Sequence, residues 1–157
     1  IMAHNAMLGG HVVVEDRAFI SGNVAVHQFC RIGSLAMVGG QARVTRDIPP
    51  FVMIDGVSSL MVGLNKVGLR RAGFSREDVA EIKAAYRMAF CSDLPWNEML
   101  VAIDQQFSTG PGAKFSQFLQ RGTRGFVRER RDSKARTLKL HAAPTSGHAA
   151  DGLRKAG

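Results

Sequence analysis

Two short polar clusters near the start of the chain carry residue types suited to acid–base chemistry: Gly9-Gly10-His11 and His27-Gln28. Histidine is the side chain that most readily exchanges protons near neutral pH. A glycine beside it offers an unhindered backbone N–H, able to donate to a developing oxyanion. A single surface histidine is ordinarily just solvated. The two clusters form a candidate site only if the fold brings them together.

The surrounding sequence says how it does. Aliphatic residues recur at every sixth position: Met2, Leu8, Val14, Ile20, Val26, Ile32, Val38 and Val44. Four residues after each stands a second small or aliphatic one: Ala6, Val12, Ala18, Val24, Cys30, Ala36, Ala42 and Ile48. Neither the 3.6 period of a helix nor the 2.0 period of a half-buried strand yields such columns, whereas hexapeptide repeats of a parallel β-helix do. Three hexapeptides make one three-sided coil of 18 residues, so residues i and i+18 stack about 4.8 Å apart. Leu8, Val26 and Val44 are predicted to form one interior ladder, Val14 and Ile32 a second, and Met2, Ile20 and Val38 a third. Gly9 then lies under His27, Gly10 under Gln28 and His11 under Phe29, which makes the two polar clusters one patch on one edge. Gly9, Gly33 and Gly39 are expected to turn corners by using positive φ.

The remaining chain divides into three parts. The repeats are expected to fill residues 1–50 and to stop at Asp47-Ile48-Pro49-Pro50, where two prolines remove ladder donors. Residues 51–66 read as an extended linker and 67–128 as a helical domain. Ser75-Arg76-Glu77-Asp78 suits a capping box, followed by an apolar stripe of Val79, Ile82, Ala85, Tyr86 and Ala89. Pro95 suits the first turn of a helix reaching Phe107. Gly110-Pro111-Gly112 interrupts, and a last short helix runs from Ala113 to Gln120. The formal charge of +8 sits mostly at the end. Residues 1–120 hold 11 Lys/Arg against 10 Asp/Glu, and residues 121–157 hold 10 against 3. Residues 129–157 therefore read as a basic, disordered tail. Cys30 and Cys91 without a signal sequence suggest a reducing cytosol, so a cytoplasmic location is expected. No apolar run is long enough to span a bilayer.

Several segments carry a resemblance. They are Gly9-Gly10-His11-Val12, Ala25-Val26-His27-Gln28-Phe29-Cys30, Met37-Val38-Gly39-Gly40, Asp47-Ile48-Pro49-Pro50 and Gly68-Leu69-Arg70-Arg71-Ala72-Gly73-Phe74-Ser75. In order and spacing they resemble the acyl-ACP:UDP-N-acetylglucosamine O-acyltransferases of lipid A biosynthesis. The resemblance covers roughly residues 1–128. It implies a homotrimer of left-handed β-helices with active sites between subunits. There, a (3R)-3-hydroxyacyl group would pass from acyl carrier protein to the 3-hydroxyl of UDP-N-acetylglucosamine, with no cofactor and no metal.

By the same resemblance Gly10 supplies the oxyanion donor, and His11 and His27 line the sugar and phosphate region. Gln28 and Asn65 contact the nucleotide, Arg71 pairs with its phosphates, and Gly40 stands where acyl length is measured. A guanidinium suits phosphate oxygens bidentately. The family's general base is a histidine one coil below Gly10-His11, upstream of Ile1. His4 is not its counterpart. The chain is accordingly expected to be the C-terminal part of a longer solenoid protein, inactive alone. It departs from the family at Val67, where an acidic residue is expected, and at Ala72, where a second arginine is expected. A relative that acylates a 3-amino UDP-sugar is therefore an alternative. So is a metal-dependent lyase of the γ-carbonic-anhydrase kind, although His4, His11 and His27 lack its ligand spacing. A non-catalytic trimerisation remnant is a third reading. No specific nucleic-acid partner is expected.

Overall fold

The structure, a computed structural model, describes residues 1–130. Three parallel ladders are visited in rotation. β1 (Met7–Leu8), β4 (Ala25–Val26) and β7 (Arg43–Val44) form the first sheet, and β2 (Val13–Val14) and β5 (Arg31–Ile32) the second. The third joins β3 (Phe19–Ile20), β6 (Met37–Val38), β8 (Val52–Ile54) and β9 (Met61–Leu64). The register has the period read from sequence: Leu8 pairs with Val26 and Val26 with Val44, Val14 with Ile32, and Ile20 with Val38. Met2 bridges to Ile20.

Each two-residue strand turns one side chain outward and one inward, as the pleat requires. The inward set Ile20, Val26, Ile32, Val38 and Val44 is buried, and Ala18, Val24, Cys30, Ala36, Ala42 and Ile48 fill the remaining space. Small residues at this second position are what a narrow interior permits.

The corners correct one expectation. Gly9, Gly33 and Gly39 do not have positive φ. The positive-φ positions are Asn5, His11, Arg17, Asn23, Phe29, Leu35 and Gln41, again six apart, with φ between 56° and 66°. The glycines serve close approach instead: a Cβ on Gly33 would stand 2.4 Å from the Pro50 nitrogen, and one on Gly39 2.7 Å from that of Gly56.

The stretch 51–66 is also not a linker. β8 stacks on β6 with Met37 opposite Met53 and Val38 opposite Ile54, and β9 returns antiparallel to it. The prolines therefore do not end the ladder; Ile48 still bridges to Ile32 beneath it.

Four helices follow among the described residues: α1 (Lys66–Arg71), α2 (Arg76–Cys91), α3 (Trp96–Gln106) and α4 (Ala113–Gln120). Ser75 and Asp78 form the expected reciprocal capping box on α2. Ile82, Ala85, Tyr86, Ile103, Phe115 and Leu119 pack into one core with the strand residues, with Phe51 at the junction in edge contact with Phe74 and Phe115. The chain then returns to the strands, where Asp47 bridges to Phe126 and Met61 to Glu129. The boundary expected at 128/129 thus falls too early, because the Arg130 N–H donates to Met61 O at 2.7 Å. Positions 131–157 of the expected tail lie outside the described residues. No helix among the described residues is long and apolar enough to cross a membrane.

Candidate functional site

Three edges join the three sheets, and the candidate residues distribute over all of them. The edge from the first to the second sheet carries Gly10, His11, His27 and Gln28 together. The Phe29 N–H donates to Gly10 O at 2.9 Å, which locks the two levels. His11 and Phe29 stack ring on ring, with centroids 4.9 Å apart and planes 2° from parallel. Both occupy positive-φ corner positions, which throw their side chains off the edge in the same direction.

His27 is held by the level above and by its own neighbour in the chain. Its N–H donates to Val44 O at 2.8 Å, and Nδ1 lies 3.1 Å from Gln28 O. The imidazoles of His11 and His27 are both exposed. Gly9 packs its bare Cα against the Gln28 backbone, whereas Gly10 faces open space, with nothing within 4 Å of a Cβ position. Among the described residues the Gly10 N–H has no acceptor. An unpaired N–H at an exposed glycine, on the same edge as two imidazoles, can hold a developing oxyanion while a proton moves nearby.

The edge from the second to the third sheet carries Asn65 and Arg71. Together with Arg17, Phe19, Met37 and Val67 they line a groove of about 500 Å3 with apolar walls. Asn65 caps α1: its Oδ1 accepts from the Gly68 N–H and its Nδ2 donates to Leu35 O, both at 2.9 Å. A carboxamide has two donors and two lone pairs. One of each therefore remains for a ligand. Gly68 is required by this cap, since a Cβ there would come within 2.2 Å of Asn65 Nδ2. Val67, half exposed, makes the groove wall apolar where the resemblance calls for an acid.

Arg17 is a residue that sequence reasoning passed over. It sits at a period-six corner 18 residues before Leu35, so its place on this edge was readable from the repeat. Phe29 was placed but given no part.

Gly40 stands alone on the third edge, one level above Gly22. A Cβ there would lie 3.4 Å from Gly22 O, and its outer side is open.

On the upper level of the first edge the support is charged. Asp47, almost fully buried, accepts from the Arg31 N–H at 2.9 Å, and burial pushes its carboxyl above the usual range. Burial likewise raises the Cys30 thiol, which makes it a packing group and not a nucleophile. No three His, Cys, Asp or Glu side chains gather as metal ligands among the described residues.

Comparison with known proteins points to one family. A family model described as "Udp N-acetylglucosamine O-acyltransferase; Domain 2" matches residues 47–127. The chain is 41% identical over 123 residues to the acyl-[acyl-carrier-protein]–UDP-N-acetylglucosamine O-acyltransferase of a Synechocystis species, covering 78% of this chain and 45% of that protein. It is 41% identical over 133 residues to the enzyme of the same name from a Janthinobacterium species, covering 82% and 51%. Among solved structures, the UDP-N-acetylglucosamine acyltransferase of Francisella novicida superposes with a TM-score of 0.76 at 31% identity, over 87% of this chain and 51% of that one. The Arabidopsis enzyme gives 0.75 at 37%, over 82% and 48%. The chain thus spans about half the length of the relatives it matches.

Proposed function

Because the chain belongs to the UDP-N-acetylglucosamine O-acyltransferase family, we propose that it serves transfer of a 3-hydroxyacyl group from acyl carrier protein to the 3-hydroxyl of UDP-N-acetylglucosamine, in the cytoplasm. In this reading the three ladders are coils of a left-handed β-solenoid, capped by the helical domain and assembled as a homotrimer. Assembly supplies what one chain separates, since Asn65 and Arg71 of one copy would face the His11–His27 edge of another across a shared cleft.

The sugar hydroxyl gives up its proton to a base as its oxygen attacks the thioester carbonyl. The oxyanion that forms is held by the Gly10 N–H. Its collapse breaks the carbon–sulfur bond, and the departing thiolate takes a proton. His11 and His27 position the sugar and its phosphates, Gln28 and Asn65 hold the nucleotide, Arg71 binds the diphosphate, and Gly40 leaves room for the acyl chain. In this reading none of the described residues takes the part of the general base. One observation carries the reading: the unpaired, exposed N–H of Gly10 beside His11 and His27 on a single edge.

The test is a carrier-protein acyl-transfer assay on two proteins. One is this chain; the other is extended by a lower coil bearing a histidine beneath Gly10-His11. The extended protein is expected to turn over, and this chain to be slower by about two to four orders of magnitude, the usual worth of a positioned base. Comparable turnover by both, or none by the extended protein, defeats the proposal. Val67, which replaces a polar contact by an apolar wall, favours a second acceptor, a UDP-sugar with an amine at the 3-position. Preference for that amine in the same assay decides between them.

A further inference from the structure

Above His27 and Gln28 the same edge continues into a groove that the acyl-transfer reading does not use. The first sheet stacks Val44 on Val26, and the chain runs on from Val44 through Thr45 and Arg46 on the level above His27 and Gln28. Here the edge opens into a cleft of about 390 Å3, lined by Arg43, Thr45, Arg46, Ser58, Ser59 and Arg128. Arg43 comes from β7, Ser58 and Ser59 from the turn before β9, and Arg128 from the segment returning after α4. Three separate stretches of chain thus bring guanidinium groups and hydroxyls to one place.

The guanidinium groups are uncommitted. All the ion pairs recorded among the described residues belong to Arg31, so none involves Arg43, Arg46 or Arg128 there. All three are exposed. The neighbouring carboxylate, Asp55, is engaged: it accepts from both the Ser58 N–H and the Ser58 hydroxyl, and Arg130 adds a positive charge beside it. The Ser59 Oγ accepts from the Arg43 N–H at 2.8 Å, so its own hydrogen is free to donate outward. Like charges held together at a surface repel unless an anion joins them. Forked guanidinium donors with adjacent hydroxyls match the oxygens of a phosphate ester better than they match a carboxylate alone.

We propose that this groove is a phosphate-binding subsite, one level above the acyl-transfer edge, that receives a phosphate ester carried by a substrate. The groove stands on its own geometry; assigning its anion to a substrate rests on the transferase reading. The phosphate could arrive on the nucleotide sugar or on the carrier-tethered donor, and the chemistry recognised is the same.

Arginine-selective modification by phenylglyoxal, read residue by residue by mass spectrometry, tests this on the full chain. Inorganic pyrophosphate is the first probe. It is expected to slow modification of Arg43, Arg46 and Arg128 about tenfold relative to Arg76 and Arg87, the factor expected when one charge-assisted contact is made or lost. The Arg43→Gln/Arg46→Gln variant should lose protection at Arg128 while its circular dichroism stays unchanged. If that variant fails to fold, Arg46→Lys, which keeps the charge but not the fork, should still weaken protection.

UDP-N-acetylglucosamine and acylated carrier protein form the second and third arms, and the one that protects the three arginines carries the phosphate. Equal protection of every exposed arginine by pyrophosphate, or protection of the groove by pyrophosphate but by neither substrate while the nucleotide sugar still protects Arg71, overturns the proposal. Failure of the transferase reading would look different: no turnover by the extended protein and no protection of Arg71 by the nucleotide sugar, with pyrophosphate protection in the groove intact.

Discussion

Replacing Gly9 by alanine would set a methyl carbon 2.5 Å from the Gln28 nitrogen and 2.9 Å from its Cα. Both atoms are backbone, so no side chain can swing away. The levels must part or the corner must twist, and overpacking of this kind costs about 1–3 kcal/mol. At Gly10, one residue on, nothing lies within 4 Å and φ is not positive. Alanine there only narrows the unfolded ensemble, a gain of about 0.4–1 kcal/mol. The two neighbouring substitutions should therefore differ by about 1.5–4 kcal/mol, with opposite signs. For a chain of this size that is a separation of about 5–15 °C in Tm, Gly9→Ala melting lower than the parent and Gly10→Ala slightly higher. Thermal unfolding followed by circular dichroism in one buffer measures it. Amide hydrogen exchange at Phe29, whose N–H is bonded to Gly10 O, should quicken only in Gly9→Ala. Equal melting temperatures, or a Gly9→Ala no less stable than the parent, would refute the stacking of Gly9 under the Gln28 backbone.

Ser75→Ala removes the Oγ that accepts from the Asp78 N–H and should lower stability by about 1 kcal/mol, seen in the same melts. Asn65→Ala frees both the Leu35 carbonyl and the α1 N-terminus; a loss of about 1–3 kcal/mol is expected, with no change at Ser75→Ala sites when the two are combined. Ser58 holds the Asp55 carboxyl below its ordinary value, chiefly through its backbone N–H and then its hydroxyl. That contribution is present above the ordinary carboxylate range and lost as pH falls through the depressed value. Ser58→Ala should raise the Asp55 midpoint in a carboxyl NMR titration, and an unmoved midpoint would contradict the contact. Burial and the Glu129 carboxylate together raise the Cys91 thiol, so Glu129→Gln should speed its alkylation by iodoacetamide at mildly alkaline pH.

The ladders were legible because each interior position repeats a residue class at a constant interval, and burial enforces that class. The pattern failed where the interval changed. Ile32 meets Ile48 and Met37 meets Met53, sixteen residues apart instead of eighteen, so β8 was hidden from a search at sixes. The corner conformation was unreadable for another reason: Asn5, His11, Arg17, Asn23, Phe29, Leu35 and Gln41 share a backbone angle but no chemistry. Glycine was read for its freedom at φ when its missing side chain mattered instead. The His11–His27 patch was legible because it follows from stacking alone. Arg17 and Phe29 were within reach of the same arithmetic. The double engagement of Asn65 was not, since it depends on how α1 sits over Leu35.

The left-handed corners have one further meaning. At all of them but Leu35, which packs into the core, the main chain is constrained while the residue is exposed, so the scaffold dictates a shape there without dictating an identity. Such a column behaves as a rack of interchangeable mounts at a regular pitch. Evolution can refit one exposed rung, a histidine for an asparagine or an arginine for a glutamine, and alter the chemistry along the ridge with the hydrophobic staircase behind it undisturbed.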